Sequence, residues 1–386
     1  MNCSRTLFFA LLLGSLIAAM AIATTRVCAS PAELHVGVGY PYATIQAAVT
    51  AAASGDSVIV HAGTYVENVN INKPLTLRAA SGADPVIDGN HGSCITIAAN
   101  GVTVSGFELK NGKYGVASWG TDDSVISRNV IHDILNIPSY AGCGIMFWSD
   151  SDDFKNNLIS DNIIYNNDRQ GIYIGGETLG YISSGNTITG NVIYNNGLYT
   201  NPNLPDASAY GIQLSYADSN IIRCNDIYGH DDWFAYPGFD FAQGIYLFDS
   251  NDNHIECNYL HDNNYGVGIW RPSRAAGTNY VSCNNIVGNT GYGVCTFDGP
   301  PNVDARSNWW GVATGPTHAS NPGGTGDKVS NNVDFTPWLL STACPAVGGE
   351  WVSIDKFRLL SPSIGLASML VAASVVFAKY RRKLAL

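Results

Sequence analysis

Between Gly101 and Asn332 short apolar runs alternate with polar turns, and no amphipathic run of roughly ten residues interrupts them. Ile221-Ile222-Arg223-Cys224 and Gly171-Ile172-Tyr173-Ile174 are typical: β-branched, and bounded by Gly, Asn and Asp. Such segments predict strand-turn-strand units, whereas a helical repeat needs longer runs of 3.6-residue period. The pattern recurs along the chain. Asn129, Asn162, Asn191, Asn225, Asn258, Asn284 and Asn308 each open a similar segment, at intervals of 33, 29, 34, 33, 26 and 24 residues. A Gly-aliphatic pair follows most of them, as at Gly144-Ile145, Gly171-Ile172, Gly211-Ile212, Gly244-Ile245 and Gly268-Ile269. Self-similarity at this period means a solenoid.

Strand, tight turn, strand and loop make one coil of a parallel β-helix, and successive coils stack at strand spacing, about 4.8 Å. Equivalent side chains then lie above one another. The motif Asn is expected to hydrogen-bond the coils above and below it, and the Gly before Ile to take a positive φ. Both roles are structural.

The ends differ from the middle. Arg5, an apolar run from Leu7 to Ala23, and Val27-Cys28-Ala29 predict a signal peptide over 1–29, with an uncleaved membrane helix as the alternative. Tyr42 to Ala52 predicts a helix with Thr44 as N-cap, covering the open end of a solenoid domain over 30–340. A short tether, 341–358, leads to an uncharged run and then Lys379, Arg381, Arg382 and Lys383. This predicts a transmembrane anchor over 359–386 with a basic cytoplasmic flank, or else a processed sorting signal. The protein is thus expected outside the cell, at the surface. From Ser30 to Asp355 twelve Lys and Arg stand against 31 Asp and Glu, a net of −19. Such a surface repels phosphate backbones and excludes nucleic acid as a partner.

Cys224, Cys257 and Cys283 occupy one repeat position, immediately before the motif Asn. Alternation from Ile222, Ile255 and Val281 points them inward, as a buried thiol ladder, with one disulfide as the rival. The same alternation points the residue after each Gly-Ile outward: Met146, Tyr173, Gln213, Tyr246 and Trp270, with Trp148 and Phe248 two residues further along. A mainly aromatic, solvent-facing ladder of that kind marks a binding face for sugar rings, or alternatively a shield or protein interface. Two long loops, 197–210 and 229–243, enter these strands, and the second carries Trp233 and Tyr236. The acid candidates for any bond cleavage are Asp231, Asp232, Asp240 and, from the first loop, Asp206.

Tyr42-Ala43-Thr44-Ile45-Gln46-Ala47-Ala48-Val49, Ser54-Gly55-Asp56, Ala62-Gly63-Thr64-Tyr65-Val66-Glu67 and Lys73-Pro74-Leu75-Thr76-Leu77 resemble the opening of pectin-lyase-like, right-handed parallel β-helix proteins. Asn308-Trp309-Trp310-Gly311 and the Gly-rich stretch after it resemble the close of surface-exposed members, and the repeats between resemble the family that includes the NosD-type proteins. The resemblance runs from about Ala32 to Leu340. It implies an all-β, right-handed parallel β-helix. Activity is less determined, because this fold hosts many functions. Polygalacturonases of the fold use an Asp pair with a His and Arg-x-Lys; Asp122-Asp123 and Asp231-Asp232 occur, but no Arg-x-Lys in the repeats. Gly238-Phe239-Asp240-Phe241 only echoes a pectinesterase motif. Pectate lyases use a Ca2+ cluster with a basic residue; no spacing assigns ligands here, and His132, His230, His254 and His261 are too scattered for a metal site. No cofactor is expected, Ca2+ having no assigned residues. The expected function is binding of a polysaccharide or glycan, with cleavage by a lyase or glycoside hydrolase activity as its extension. A non-catalytic structural or adhesive surface protein is the alternative.

Overall fold

The computed structural model describes residues 30–136, 141–176, 182–197, 209–231, 242–270, 277–297 and 303–343. The strands belong to the second of two units, Met1–Ala32 and Glu33–Leu386. One coil shows the plan. Leu158–Ser160, Ile163–Tyr165 and Ile172–Gly175 follow one another in sequence and enter three different sheets. The first sheet has twelve described strands, from Glu33–Val36 to Val333–Asp334. The second and third have nine each, from Thr64–Val66 to Asn285–Val287 and from Val69–Ile71 to Tyr292–Thr296. Neighbouring strands pair in parallel, as a β-helix requires.

Register puts like on like in the core. Ile126, Ile159, Ile188, Ile222 and Ile255 stack on the first sheet, Ile131, Ile164, Ile193, Ile227 and Leu260 on the second. Ile145, Ile172, Ile212, Ile245 and Val267 stack on the third. None of these side chains is more than 1% exposed. Each contributes roughly 1.5–3 kcal/mol of apolar burial.

The corners follow one rule: a residue with positive φ, then a buried polar residue. Arg128, Asp161, Cys224, Cys257, Cys283 and Ser307 have φ between 53° and 60°. The Asn after each points inward, and from Asn129 to Asn308 every Nδ2 donates to the Oδ1 one coil on, at 2.9–3.0 Å. The motif Asn thus bonds between coils as the sequence predicts. A second ladder, Asn157, Asn186, Asn220, Asn253 and Asn279, is built the same way. A third runs through Asn167, Asn196, His230, Asn263 and Asn289 and ends on Asp327.

Two expectations are corrected at these corners. Cys224 and Cys257 are only half-buried and Cys283 is exposed, so the three do not form an inward thiol ladder. Their positive φ breaks the strand alternation: Ile222 points in, but the left-handed turn carries Cys224 outward and delivers Asn225 to the interior. The glycines before the core aliphatics are also misread as positive-φ positions. Gly144 and Gly171 are not left-handed. They are glycine because a Cβ would lie 2.7 Å from the carbonyl oxygen of the glycine on the next coil, Gly171 and Gly211 respectively.

The predicted helix is present as Ile45–Ala51, shorter than its sequence pattern. Thr44 Oγ1 accepts from the Ala47 amide at 3.3 Å. The Glu67 carboxylate accepts from the Ile45 and Gln46 amides at 2.9 and 3.0 Å, a second cap supplied by a neighbouring coil. The signal-peptide region, 1–29, and the anchor region, 359–386, lie outside the described residues, as does the tether beyond residue 343. Among the described residues no helix is long and apolar enough to cross a membrane.

Candidate functional site

The third sheet carries the candidate site on its outward face. Its strands Cys143–Trp148, Ile172–Gly175, Tyr210–Ser215, Gln243–Phe248 and Tyr265–Trp270 line up coil by coil. One row runs Met146, Tyr173, Gln213, Tyr246 and Gly268; the next runs Trp148, Gly175, Ser215, Phe248 and Trp270. This register corrects the sequence alignment. The glycine-aliphatic pair of the last strand is Gly266-Val267, which matches Gly244-Ile245, and not Gly268-Ile269. Trp270 therefore stands beside Phe248, not in line with Tyr246. The error came from two overlapping Gly-aliphatic pairs in Tyr265-Gly266-Val267-Gly268-Ile269-Trp270, only one of which keeps the column.

These rows line a groove of about 540 Å³, within which Tyr173, Tyr246, Trp270, Trp148 and Phe248 all lie. They are less solvent-facing than alternation implies. Tyr246 and Met146 are buried, at 5% and 6% exposure, whereas Tyr173, Trp148, Phe248 and Trp270 are half-buried. Trp119, at the rim, is 50% exposed. Several of the rings meet at steep angles, Trp119 and Trp148 at 86°, Tyr216 and Phe248 at 89° and Phe248 and Trp270 at 69°, whereas Tyr210 and Tyr246 meet at 35°. In an edge-on pair one ring gives its face to the other's edge, so ring faces are not used up in mutual stacking.

A line of polar groups crosses the groove floor. Cys143 Sγ donates to Gln170 Oε1 at 3.1 Å, Gln170 Nε2 donates to Gln213 Oε1 at 2.7 Å, and Gln213 Nε2 donates to Ser215 Oγ at 2.9 Å. Tyr173 donates its hydroxyl to the Gly176 carbonyl at 3.2 Å. Burial pushes the Tyr114 phenol up to about 12, with the neighbouring Cys143 adding to the rise and Arg169 opposing it. Burial also raises the Cys143 thiol, against the pull of Arg169. Both groups are therefore protonated at neutral pH, and neither is poised as a base or nucleophile. Among the described lining residues only Arg169 carries a formal charge.

Of the acid candidates only Asp231 is among the described residues, and it does not line the groove. Asp231 is exposed, at the edge of the described chain. Asp232, Asp240 and Asp206, with Trp233 and Tyr236, lie outside the described residues. Among the described residues no three His, Cys, Asp or Glu side chains gather as metal ligands would.

Two features escaped the sequence reading. His132, Tyr165, Tyr194, Tyr228 and His261 stack on the second sheet with centroids 4.8–5.0 Å apart. The signal was present: each is the third residue after a motif Asn. His230, set in the third Asn ladder, is fully buried beneath the groove, 3.0 Å from where a Cβ at Gly211 would lie. Burial drives its pKa down to about 4, against the hydrogen bond to Asn263. In the neutral ring Nδ1 donates to Asn263 Oδ1 at 2.9 Å, and Nε2 accepts from Asn196 Nδ2 at 3.3 Å.

Known proteins agree with this architecture. An alginate lyase from Paenibacillus sp. str. FPU-7 superposes with a TM-score of 0.50 at 15% identity, over 78% of this chain and 99% of that one. The GH136 lacto-N-biosidase from Eubacterium ramulus, as its selenomethionine derivative, gives 0.52 at 14% identity, over 88% of this chain and 72% of its own. At such identities the likeness is one of fold. A cell surface glycoprotein of Methanothermus fervidus is 35% identical over 79 residues, 20% of this chain, and the match spans 13% of that relative's length. The family model described as right handed beta helix region matches residues 80–197 and 135–309. Matched over more than half its length, and built of parallel sheets coil upon coil, the chain belongs to the right-handed β-helix family.

Proposed function

We propose that this β-helix binds a polysaccharide or glycan through the groove on its third sheet. The observation that carries the reading is the gathering of Tyr173, Trp148, Phe248, Tyr246 and Trp270 around a floor of side-chain amides. Flat aromatic faces take the apolar face of a sugar ring, and amides take its hydroxyls. The solved structures of like fold include proteins named for action on saccharides, which is in keeping with this reading. We place the protein at the cell surface, exported by residues 1–29 and held by 359–386. The partial likeness to a cell surface glycoprotein supports that location. It also favours a second reading, a structural or adhesive surface component.

Binding and cleavage separate in one experiment. The purified chain is applied to a glycan array, and release of reducing ends is followed on each glycan bound. Binding without release is the expected result for the described wall. Release abolished by Asp231→Asn, Asp232→Asn, Asp240→Asn or Asp206→Asn would make the protein a lyase or glycoside hydrolase. Neither binding nor release would leave the structural reading standing. The anchor has its own test: deletion of 356–386 should move the protein out of the membrane fraction.

A further inference from the structure

Gln243 is fully buried, yet neither its amide oxygen nor its amide nitrogen has a hydrogen-bond partner. Among the described residues it is the one side chain with two such orphaned atoms. Buried polar groups are almost always paired, because leaving them unpaired forfeits their hydration without return. On the same face, Gln170 and Gln213 are joined to each other and to Cys143 and Ser215.

The place of the Gln243 amide points to its use. A Cβ added at Gly268 would overlap the Gln243 amide oxygen. Gly268 is the rung after Tyr246 in the outward row Met146, Tyr173, Gln213, Tyr246. The amide therefore fills a missing side-chain position in that outward row, on the coil of Trp270 and next in register to the groove residue Tyr246. Its neighbours in register are Tyr210 and Tyr265, on the coils before and after. The bonded amide line stops at Ser215; Gln243 opens the strand one coil beyond it, and its unbonded amide reaches one coil further, to Gly268.

We infer that Gln243 is a hydrogen-bonding subsite of the groove, for two adjacent hydroxyls of a neutral sugar ring. Oε1 accepts from one hydroxyl and Nε2 donates to its neighbour, which is the pairing a primary amide offers a vicinal diol. A carboxylate-bearing ring would present two acceptors to an amide with one donating end, so the subsite favours neutral residues. The amide is closed to solvent in the free protein. Glutamine has three rotatable side-chain bonds, and the subsite needs them to turn the amide from its place at Gly268 to the groove surface. This inference rests on the reading of the groove as a glycan site.

The test uses the full chain, wild type and Gln243→Met, with neutral hexasaccharides of glucose, xylose, mannose and galactose and with uronic-acid hexasaccharides as the comparison. Calorimetry should show wild-type binding to at least one neutral hexasaccharide, at least tenfold weaker in Gln243→Met. The thermal midpoint of the variant should be equal or higher, since an orphaned amide has been removed. Equal affinity in the two proteins would overturn the subsite and leave the groove reading intact. Binding confined to the uronic-acid series would overturn the neutral assignment. No binding by the wild type to any of them would overturn the groove reading, and the subsite with it. Should Gln243→Met not fold, the wild type is compared on the 2-deoxy and 3-deoxy forms of its best hexasaccharide. One of them should bind at least tenfold more weakly, and parent-like binding of both would overturn the subsite.

Discussion

The two aromatic arrays of this β-helix, one on the second sheet and one in the groove of the third, are made of similar residues and do opposite things. On the second sheet His132, Tyr165, Tyr194, Tyr228 and His261 occupy one position on five coils in succession. Coil spacing brings their rings to 4.8–5.0 Å, and successive planes differ by only 4–16°. The inner rings spend both faces on their neighbours. In the groove the rows are interrupted: Tyr173 is followed by Gln213, Tyr246 by Gly268, and Trp148 by Gly175. The groove rings are tilted against one another, and even the register neighbours Phe248 and Trp270 meet at 69°. An unbroken aromatic column in a solenoid is a self-satisfied stabilising device. A broken one leaves ring faces and amides for something else to use.

The two regions should respond to pH with opposite sign, and the groove side gives the larger effect. His230, under the groove, has a folded pKa of about 4 against 6.5 for the free side chain. The unfolded chain binds the extra proton between those values, so this contribution is complete above about pH 6.5 and is lost as pH falls toward 4. The loss is on the order of 3 kcal/mol. Asn holds the equivalent ladder position at Asn196 and Asn263. Denaturation of the His230→Asn protein between pH 4 and 6.5 should therefore lack this slope. A slope equal to wild type would assign the acid sensitivity elsewhere.

Single aromatic deletions test the contrast directly. Tyr194 stacks on Tyr165 and Tyr228, both at 5.0 Å. Tyr194→Ala should cost about 2 kcal/mol of stability, from two stacking contacts and the buried ring area, with glycan affinity unchanged. Trp148→Ala removes a half-buried ring that meets the exposed Trp119 edge-on. It should weaken glycan binding about ten- to hundredfold, by analogy with stacking of other flat rings, and change stability by less than about 1 kcal/mol. If the two variants exchange phenotypes, the outer column is the binding face and the groove is packing.

Much of this was legible in the sequence, and each failure has its own physical cause. Period, short β-branched runs and Gly-Asn punctuation identify the coils, and the motif Asn identifies one inter-coil ladder. Parity fails wherever a left-handed residue intervenes. Counting from Ile222 turns Cys224 inward, but its φ of 53° turns it out. Register fails where one strand offers two equivalent motifs, as at Gly266-Val267 and Gly268-Ile269, and only pairing with Gly244-Ile245 decides between them. The outer column has a signal in the sequence, since its members all lie three residues after a motif Asn. Gln243 was not readable: nothing local distinguishes an orphaned amide from the bonded Gln170 and Gln213.

The smallest effect belongs to the end of the outer column. His261 stacks on Tyr228 at 4.8 Å, and its two ring nitrogens face Asp226 at 3.0 Å and Asp262 at 2.7 Å. Burial alone would lower its pKa, but the hydrogen bonds and charges of the two carboxylates outweigh burial and raise it. The folded state thus holds its proton more tightly than the unfolded chain. The resulting stability is complete below about pH 6.5 and is lost as pH rises through the raised folded value. Asp262 is mostly exposed, so solvent and salt screen part of the interaction. Thermal midpoints measured from pH 5.5 to 8.5 in the His230→Asn background, which lacks the opposing slope, should therefore fall slightly with rising pH. The fall should shrink at high salt and vanish in His261→Phe, which keeps a ring to stack on Tyr228 while removing the titration. Persistence of the fall in His261→Phe would mean that the column end is held by stacking alone and that another group titrates.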